Sequence, residues 1–266
     1  MSCVRPWTRW IRVALLGLLF GSCSNQVVLR YDFQPQRTVH YEWAVNATSD
    51  IDAPTEQTHR VLVLRADVAQ TTVTTGKKTR VRTTIVPRKI VEDGVLVPTP
   101  PPTSIEYEVT SSGRITRVIG TSGLTPDSSS TVELESLLTS TFPVLPDHPV
   151  TLRDRWPARL DAKGPATRLA LAGTGTLEGF ELIDRRRLAR IALKRSGKVR
   201  TEQPIGRTKV SLDGESDISG SSLWDLDKGM LFSNRSSSRT VFDLSVGGGA
   251  EGGTLTVRLV SNIKLR

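Results

Sequence analysis

Residues 254–266 read TLTVRLVSNIKLR, a stretch in which apolar and polar side chains alternate. Leu255, Val257, Leu259, Ile263 and Leu265 share one parity, and most residues between them are polar. Because successive side chains of a β-strand point to opposite faces of its sheet, this spacing predicts a strand with one buried and one solvated face. Half-buried strands are typical of antiparallel sheets, whereas strands of parallel α/β sheets are buried on both faces.

The same two-residue period occurs in other parts of the chain. It is clear at Val39, Tyr41, Trp43 and Val45 and again at Val210 and Leu212. β-Branched residues are frequent in these stretches, and Gly, Pro, Asp and Ser separate them, as expected for strands joined by turns. We therefore expect a mainly β protein of strongly curved antiparallel sheets, arranged as an open barrel or as two similar β-lobes, with one short linking helix.

The linking helix is predicted from a start signal and an apolar stripe. Ser130-Thr131-Val132-Glu133 has the pattern of a capping box, in which the Ser and Glu side chains accept hydrogen bonds from unpaired backbone amides. An apolar stripe at near-helical spacing follows until Pro143 ends the helix, and its members are Val132, Leu134, Leu137, Leu138 and Phe142. We expect this stripe to pack on the sheet as a lid or plug.

Similar landmarks occur in the same order on either side of this helix. The first set is Trp43, Gly76-Lys77, Asp93-Gly94 and Gly113, and the second is Trp156, Gly197-Lys198, Asp213-Gly214 and Gly229. Nearly constant spacing between the sets suggests two similar lobes. We divide the chain into a signal peptide (residues 1–22), an N-terminal β-lobe (26–121), a linker with the helix (122–149) and a C-terminal β-lobe (150–266).

The N-terminus has the three parts of an export signal. A basic stretch precedes the apolar run Val13 to Phe20, which is too short for a membrane span of about 20 residues. Leu19-Phe20-Gly21-Ser22-Cys23 resembles the export signal of bacterial lipoproteins, and this resemblance implies cleavage before Cys23 and acylation of its thiol. Ser24 then favours the outer membrane in organisms that have two membranes. The alternative is ordinary cleavage near Ser24, which would release an unanchored protein.

Cysteine usage and charge limit the classes of function. Cys3 and Cys23 are the two cysteines of the chain, so the processed, acylated protein would have no thiol for a disulfide, a metal or catalysis. Removing Arg5, Arg9 and Arg12 with the signal leaves 33 basic and 27 acidic residues, a net charge of +6. This composition is mildly basic and does not indicate nucleic-acid binding.

Basic residues cluster at three places. These are Gly76-Lys77-Lys78, Arg185-Arg186-Arg187 and Lys194-Arg195-Ser196-Gly197-Lys198. Runs of this kind are typical of solvated hairpin ends and guarded sheet edges. The alternative is contact with anionic headgroups, lipopolysaccharide phosphates or wall polymers.

Motifs for catalysis, cofactors and metals are weak or missing. Gly247, Gly249 and Gly252 formally match G-x-G-x-x-G, but the strand that follows them favours a hairpin connection over a phosphate-binding loop. The three histidines, His40, His59 and His148, stand far apart without spaced carboxylate partners. The sequence has no G-x-S-x-G elbow and no S-x-x-K helix start. We therefore expect a noncatalytic protein without a cofactor or a metal.

Residues 142–156 read FPVLPDHPVTLRDRW. This segment resembles F-P-x-L-P-x-x-P-V-x-x-G-D-x-W, a stretch shared by uncharacterised secreted and lipid-anchored two-lobe β-proteins of bacteria. Arg153 stands where that pattern has Gly, and Pro35-Gln36 stands where the early strand usually has Pro-Gly. The resemblance implies the two-lobe layout and no known activity. From the residues themselves, we expect Trp156 to cap the core of the second lobe and Asp154 to close a turn.

Two functions of different classes fit these observations. The first is a noncatalytic cell-envelope lipoprotein that binds a hydrophobic or amphiphilic ligand, as lipoprotein carriers do in an apolar cavity under a bent sheet. The alternative is a structural or interaction module of the envelope that binds a protein partner or an anionic polymer. An apolar pocket of roughly 300–1,000 Å³ would favour the first function, whereas inward faces packed to interior density would favour the second.

Overall fold

The computed structural model describes residues 26–266 apart from 55, 76–77, 124–137, 140, 164–166, 206–207 and 247–251. In this part of the chain, thirteen strands form a single antiparallel sheet that is not closed into a barrel. The mainly β, antiparallel prediction is therefore confirmed. The signal peptide, the proposed lipid attachment residue Cys23 and the predicted helix start at Ser130 lie outside the described residues.

The strands vary from three to twenty residues in length. Their bounds are β1 Thr38–Ala53, β2 Glu56–Thr74, β3 Thr79–Glu92, β4 Val95–Val97, β5 Thr103–Val109, β6 Ile115–Ser122, β7 Arg155–Pro157, β8 Leu160–Lys163, β9 Thr167–Ile183, β10 Arg186–Ile205, β11 Thr208–Asp225, β12 Met230–Val246 and β13 Gly252–Leu265.

The strand order joins the first half of the chain to the second. It runs β6-β5-β3-β2-β1-β13-β12-β11-β10-β9-β7, with β4 beside β3 and β8 beside β9. The two halves meet where β1 pairs with β13, from Tyr41 opposite Leu265 to Asp52 opposite Thr254. Residues of both predicted lobes therefore belong to one continuous sheet.

The landmarks that suggested two similar lobes lie at different kinds of position. Asp93 and Gly94 form the β3–β4 turn with positive φ angles, whereas Asp213 and Gly214 lie within β11 and pair with both of its neighbours. Trp43 lies in β1, in the middle of the strand order, and Trp156 lies in the short outermost strand β7. These two pairs therefore do not mark equivalent places, whereas Gly113 and Gly229 both lie in turns between strands with positive φ angles. The division into lobes stays a prediction.

One face of the sheet, called the inner face here, carries the hydrophobic core. In β1 the predicted apolar residues Tyr41, Trp43 and Val45 are buried, while the residues between them point to the opposite, outer face. Two segments cover the inner face, residues 27–37 and residues 138–154 apart from 140. Leu29 is 1% exposed and Val150 is fully buried. The core consequently lies between the sheet and these two crossing segments.

The described end of the predicted helix packs on the inner face. The amide of Phe142 donates to the carbonyl of Leu138 at 2.7 Å, and the helix ends before Pro143, as predicted. Leu138 and Phe142 are buried, and the Phe142 ring meets Tyr41 edge-on at a centroid distance of 5.5 Å. Packing of the apolar stripe on the sheet is thus confirmed for these two residues. No helix among the described residues is long and apolar enough to cross a membrane.

Candidate ligand site

Hydrogen bonds tie the segment 138–145 to the rest of the molecule. The last carbonyl groups of a helix have no partner inside the helix, so side-chain donors are needed when they are buried. Four such donors reach this segment: Arg195 Nη1 to the Thr139 carbonyl at 3.4 Å, Asn234 Nδ2 to Thr141 at 3.0 Å, Tyr31 Oη to Pro143 at 2.9 Å and Trp156 Nε1 to Val144 at 3.1 Å. The cover is therefore held at four successive points.

Arg195 is the unusual member of this set. It lies on the inner face of β10, opposite Gly173 of β9 and Ile218 of β11, and it is only 3% exposed. Its Nε and Nη2 atoms are buried without a hydrogen-bond partner. Burial lowers the pKa of its guanidinium to about 10, so the group remains charged at neutral pH.

The prediction that the basic residues 194–198 form a hairpin end or a sheet edge is wrong. Residues 194–198 lie in the middle of β10, between β9 and β11. Alternation directs Lys194, Ser196 and Lys198 outward and Arg195 inward. The sequence contains a signal for the inward direction of Arg195, because Arg195 has the parity of Ile191 and Leu193. The charged residues around it make that alternation hard to recognise. The run at Arg185 does form a hairpin end, with Asp184 and Arg185 at φ angles of 50° and 63°.

A second, smaller apolar cluster adjoins Arg195 on the inner face. Ile218, the β11 neighbour of Arg195, packs against this cluster, and Val199 of β10 does so too. The buried members of this second cluster are Leu160 of β8 and Leu169 and Leu171 of β9. An aliphatic surface therefore lies beside the buried guanidinium.

The two edges of the sheet border one cavity of about 290 Å³, called the edge cleft here. Residues from the start of β6 and from the β7–β8 region line it, together with the covering segment. They are Arg114, Ile115, Thr139, Val144, Pro157, Arg159, Leu160 and Asp161. Leu160 also belongs to the second apolar cluster, and the Thr139 carbonyl accepts from Arg195. The edge cleft therefore adjoins both the cluster and the hydrogen-bond partner of the buried cation.

The core between Tyr31, Tyr107 and Phe142 is filled. The space left among these side chains is about 10 Å³, at the lower limit of the roughly 10–15 Å³ that a single water molecule needs. Trp43, Trp156 and Trp224 are 5%, 2% and 1% exposed, so all three are core residues. This part of the inner face has no room for an acyl chain.

A larger groove, of about 650 Å³, runs across strands β9 to β13. Ten of its fifteen lining residues have the parity of the outer face, and the other five, Arg195 and Ile218 among them, have the parity of the inner face. Small hydroxyl residues are frequent along it, with the Ser219 and Ser237 hydroxyls 3.1 Å apart. Lys194, Arg239 and Arg258 also line it. We call it the outer groove.

The described residues give little support for a metal or an acid–base centre. No group of three or more His, Cys, Asp or Glu side chains comes together among them. The structure does bring His59 of β2 to Asp50 of β1, with 2.5 Å between Nδ1 and Oδ1, a pairing that sequence spacing did not indicate. Hydrogen bonds from His59 and Arg258 lower the pKa of the Asp50 carboxyl. The pair is exposed and lies on the sheet surface as a cross-strand contact.

Comparisons with known proteins do not assign the chain to a family. No protein-family model matches it, and no curated protein matches it. Among solved structures, the chain is similar to a protein of Nitrosomonas europaea provisionally assigned as AttH, at 9% identity and a TM-score of 0.18, over 83% of this chain and 92% of that one.

Proposed function

We propose that this protein is a noncatalytic, lipid-anchored protein of the cell envelope that binds an amphiphilic ligand through the edge cleft. The observation that carries the proposal is the cleft itself, which joins an opening between the sheet edges to the second apolar cluster. Its volume of about 290 Å³ is near the lower end of the range of small-molecule sites. Part of an acyl chain could occupy it without disturbing the filled core.

The lining of the edge cleft suits a ligand with one apolar and one anionic part. Ile115, Val144 and Leu160 present aliphatic surface, while Arg114 and Arg159 are exposed cations at the same cavity. Burying a CH₂ group of a ligand contributes about 0.8 kcal/mol, and the arginines would attract a carboxylate or phosphate.

The ligand proposal is tested by lipid extraction from the purified full chain and two Trp variants. Asp161→Trp fills the edge cleft from an exposed position, and Asp213→Trp places the same side chain on the outer face of β11. We expect co-purified lipid, counted per protein by mass spectrometry, to fall about tenfold in Asp161→Trp and to remain unchanged in Asp213→Trp. Equal lipid in both variants and the wild type would exclude the cleft as the site.

The anchor is tested separately at Cys23. The full chain and a Cys23→Ala variant are expressed in a bacterial host, and the membrane fractions are compared by intact mass spectrometry. We expect a mature mass that starts at Cys23 and carries acyl chains, and no such species in the variant. A soluble product cut near Ser24 would contradict the anchor.

A second candidate function is binding of an anionic polymer in the outer groove. Lys194 and Arg239 line the groove, and neither forms an ion pair with a described carboxylate. Affinity for long-chain polyphosphate should fall at least tenfold in a Lys194→Gln/Arg239→Gln variant and should weaken with added salt, which screens exposed charges. The control is Arg80→Gln/Arg117→Gln, which removes the same charge from exposed positions on β3 and β6. An equal loss in both variants would indicate a net-charge effect and no groove site.

A further inference from the structure

The guanidinium of Arg195 has one free edge. Nη1 donates to the Thr139 carbonyl, while Nε and Nη2 have no hydrogen-bond partner in the described part of the chain. Nε and Nη2 together form the side of a guanidinium that takes a carboxylate or a phosphate in two parallel hydrogen bonds. The unused donors are therefore the pair that bidentate recognition of an anion requires.

The setting of Arg195 makes this free edge unusual. A buried charge is costly unless it is paired and hydrogen-bonded. The buried Asp225, 1% exposed, has a counter-charge in Arg186 at 3.8 Å, although Asp225 Oδ2 and Arg186 Nη1 form no hydrogen bond among the described residues. Arg195 is 3% exposed and forms no ion pair with a described carboxylate. Among the described residues, no carboxylate supplies its counter-charge.

The surroundings also provide a place for an apolar tail. The second apolar cluster begins at Ile218, directly across from Arg195, and ends at Leu160 in the edge cleft. Thr139 lies between Arg195 and the edge cleft, because Thr139 lines the cleft and its carbonyl accepts a hydrogen bond from Arg195. A ligand that enters through the cleft would meet aliphatic side chains and then the guanidinium.

We propose that Arg195 binds the anionic head of the amphiphile, a carboxylate or a phosphate monoester, through Nε and Nη2, with the acyl tail along the second apolar cluster toward the edge cleft. This inference rests on the amphiphile-binding function proposed above and specifies the ligand class. The ligand enters head first, and its head supplies the counter-charge that Arg195 lacks.

The experiment is native mass spectrometry of the full chain released from detergent, titrated with three sixteen-carbon probes. The probes are palmitate, hexadecyl phosphate and hexadecanol, which share a tail and differ in the head. We expect both anionic probes to bind at least tenfold more tightly than hexadecanol. Arg195→Gln removes this preference, so that the two anionic probes bind no more tightly than hexadecanol. Arg195→Lys, which keeps the charge and loses the two-donor edge, retains part of it.

Controls separate this inference from its competitors. Arg235→Gln removes an exposed outer-face cation and should leave all three affinities unchanged. Retention of the anionic preference in Arg195→Gln would overturn the role of Arg195. Binding of inorganic phosphate as tight as that of hexadecyl phosphate would identify a plain anion site without a tail.

Three further outcomes are decisive. If no sixteen-carbon probe binds the wild type, the proposed function itself fails, whereas equal binding of all three leaves that function standing and overturns the head-group site. Glu133 and Glu135 lie outside the described residues. If a Glu133→Gln/Glu135→Gln variant gains an affinity for palmitate that the wild type lacks, a carboxylate of the chain occupies the free edge and the inference is wrong.

Discussion

At Arg153 the backbone has a φ of 72°, and at Gln36 it has a φ of 59°. Both angles lie in the left-handed region, which Gly adopts at little steric cost and other residues adopt only at a cost. These are the two positions at which the predicted resemblance to bacterial two-lobe β-proteins would have a Gly. The chain therefore keeps glycine-like turns there without glycine. Asp154 closes the same turn as predicted, accepting from the Thr151 amide at 2.7 Å, which lowers the pKa of its carboxyl.

Replacing Arg153 with Gly should stabilise the protein. The change stabilises the folded state by removing about 1–2 kcal/mol of strain at the left-handed φ angle. It also destabilises the folded state by roughly 0.5–1 kcal/mol, because Gly increases the conformational entropy of the unfolded chain. The amide bond from Arg153 to the Leu177 carbonyl, 2.7 Å, is retained. We expect a net gain of about 0.5–1 kcal/mol in the free energy of unfolding, measured by urea denaturation. Arg153→Ala keeps the Cβ and should give no gain, so equal stabilisation by both changes would contradict this explanation.

At the scale of a strand, β9 shows how one element adapts to the cover above it. Gly175 faces the buried Trp156, and a Cβ at this position would lie 2.4 Å from Cε2 of the indole ring. Gly179 lies four residues later in the same strand, where a Cβ would meet no atom within 4 Å. The two glycines therefore have different roles, one set by packing and the other open to substitution.

Alanine at these two positions should have opposite effects. Gly175→Ala pushes the Trp156 ring off the sheet and strains its hydrogen bond to the Val144 carbonyl, so we expect a loss of about 1–3 kcal/mol from overpacking. Gly179→Ala should raise stability by up to about 1 kcal/mol, because Gly in a strand costs more conformational entropy than Ala. Thermal unfolding of the two variants beside the wild type measures both effects. Destabilisation of similar size in both would show that strand propensity, and not the Trp156 contact, decides the outcome.

At the scale of the whole molecule, all three tyrosines of the chain are in the core. Tyr31, Tyr41 and Tyr107 are 7%, 1% and 3% exposed. Burial is the largest cause that raises the pKa of each phenol. Hydrogen bonds from Thr83 and Gln70 moderate the rise at Tyr107. The core therefore favours the neutral phenol at three sites.

Alkaline titration should report global unfolding. Because the folded-state pKa of each phenol is raised above the unfolded value of about 10, the resulting stability is fully present below pH about 10 and is lost as the pH rises above it. We expect no tyrosinate signal in the ultraviolet spectrum until circular dichroism shows that the protein unfolds. Urea-unfolded protein should ionise all three phenols near pH 10. A folded protein with one phenol titrating near pH 10 would contradict the burial of that residue.

The sequence by itself determined the local periods. Alternation at Tyr41, Trp43 and Val45 and at Ile263 and Leu265 predicted strands and their buried faces, because a two-residue period is a property of a single strand. Pro143 likewise marked where the helix ends, because proline cannot continue a helix. The antiparallel class followed from half-buried strands. Signals at Cys23 remain predictions.

Only the tertiary structure decided what depends on pairing between distant parts of the chain. The joining of the two halves at β1 and β13, and the edge cleft between β6 and β8, bring together residues that no local period relates. Arg195 illustrates the difference. Its parity could be counted from Leu193, but its burial depends on Thr139, 56 residues away, settling over it. The physical reason is that a strand's own sequence sets which way a side chain points, whereas its surroundings are set by the segment that the folded chain lays on that face.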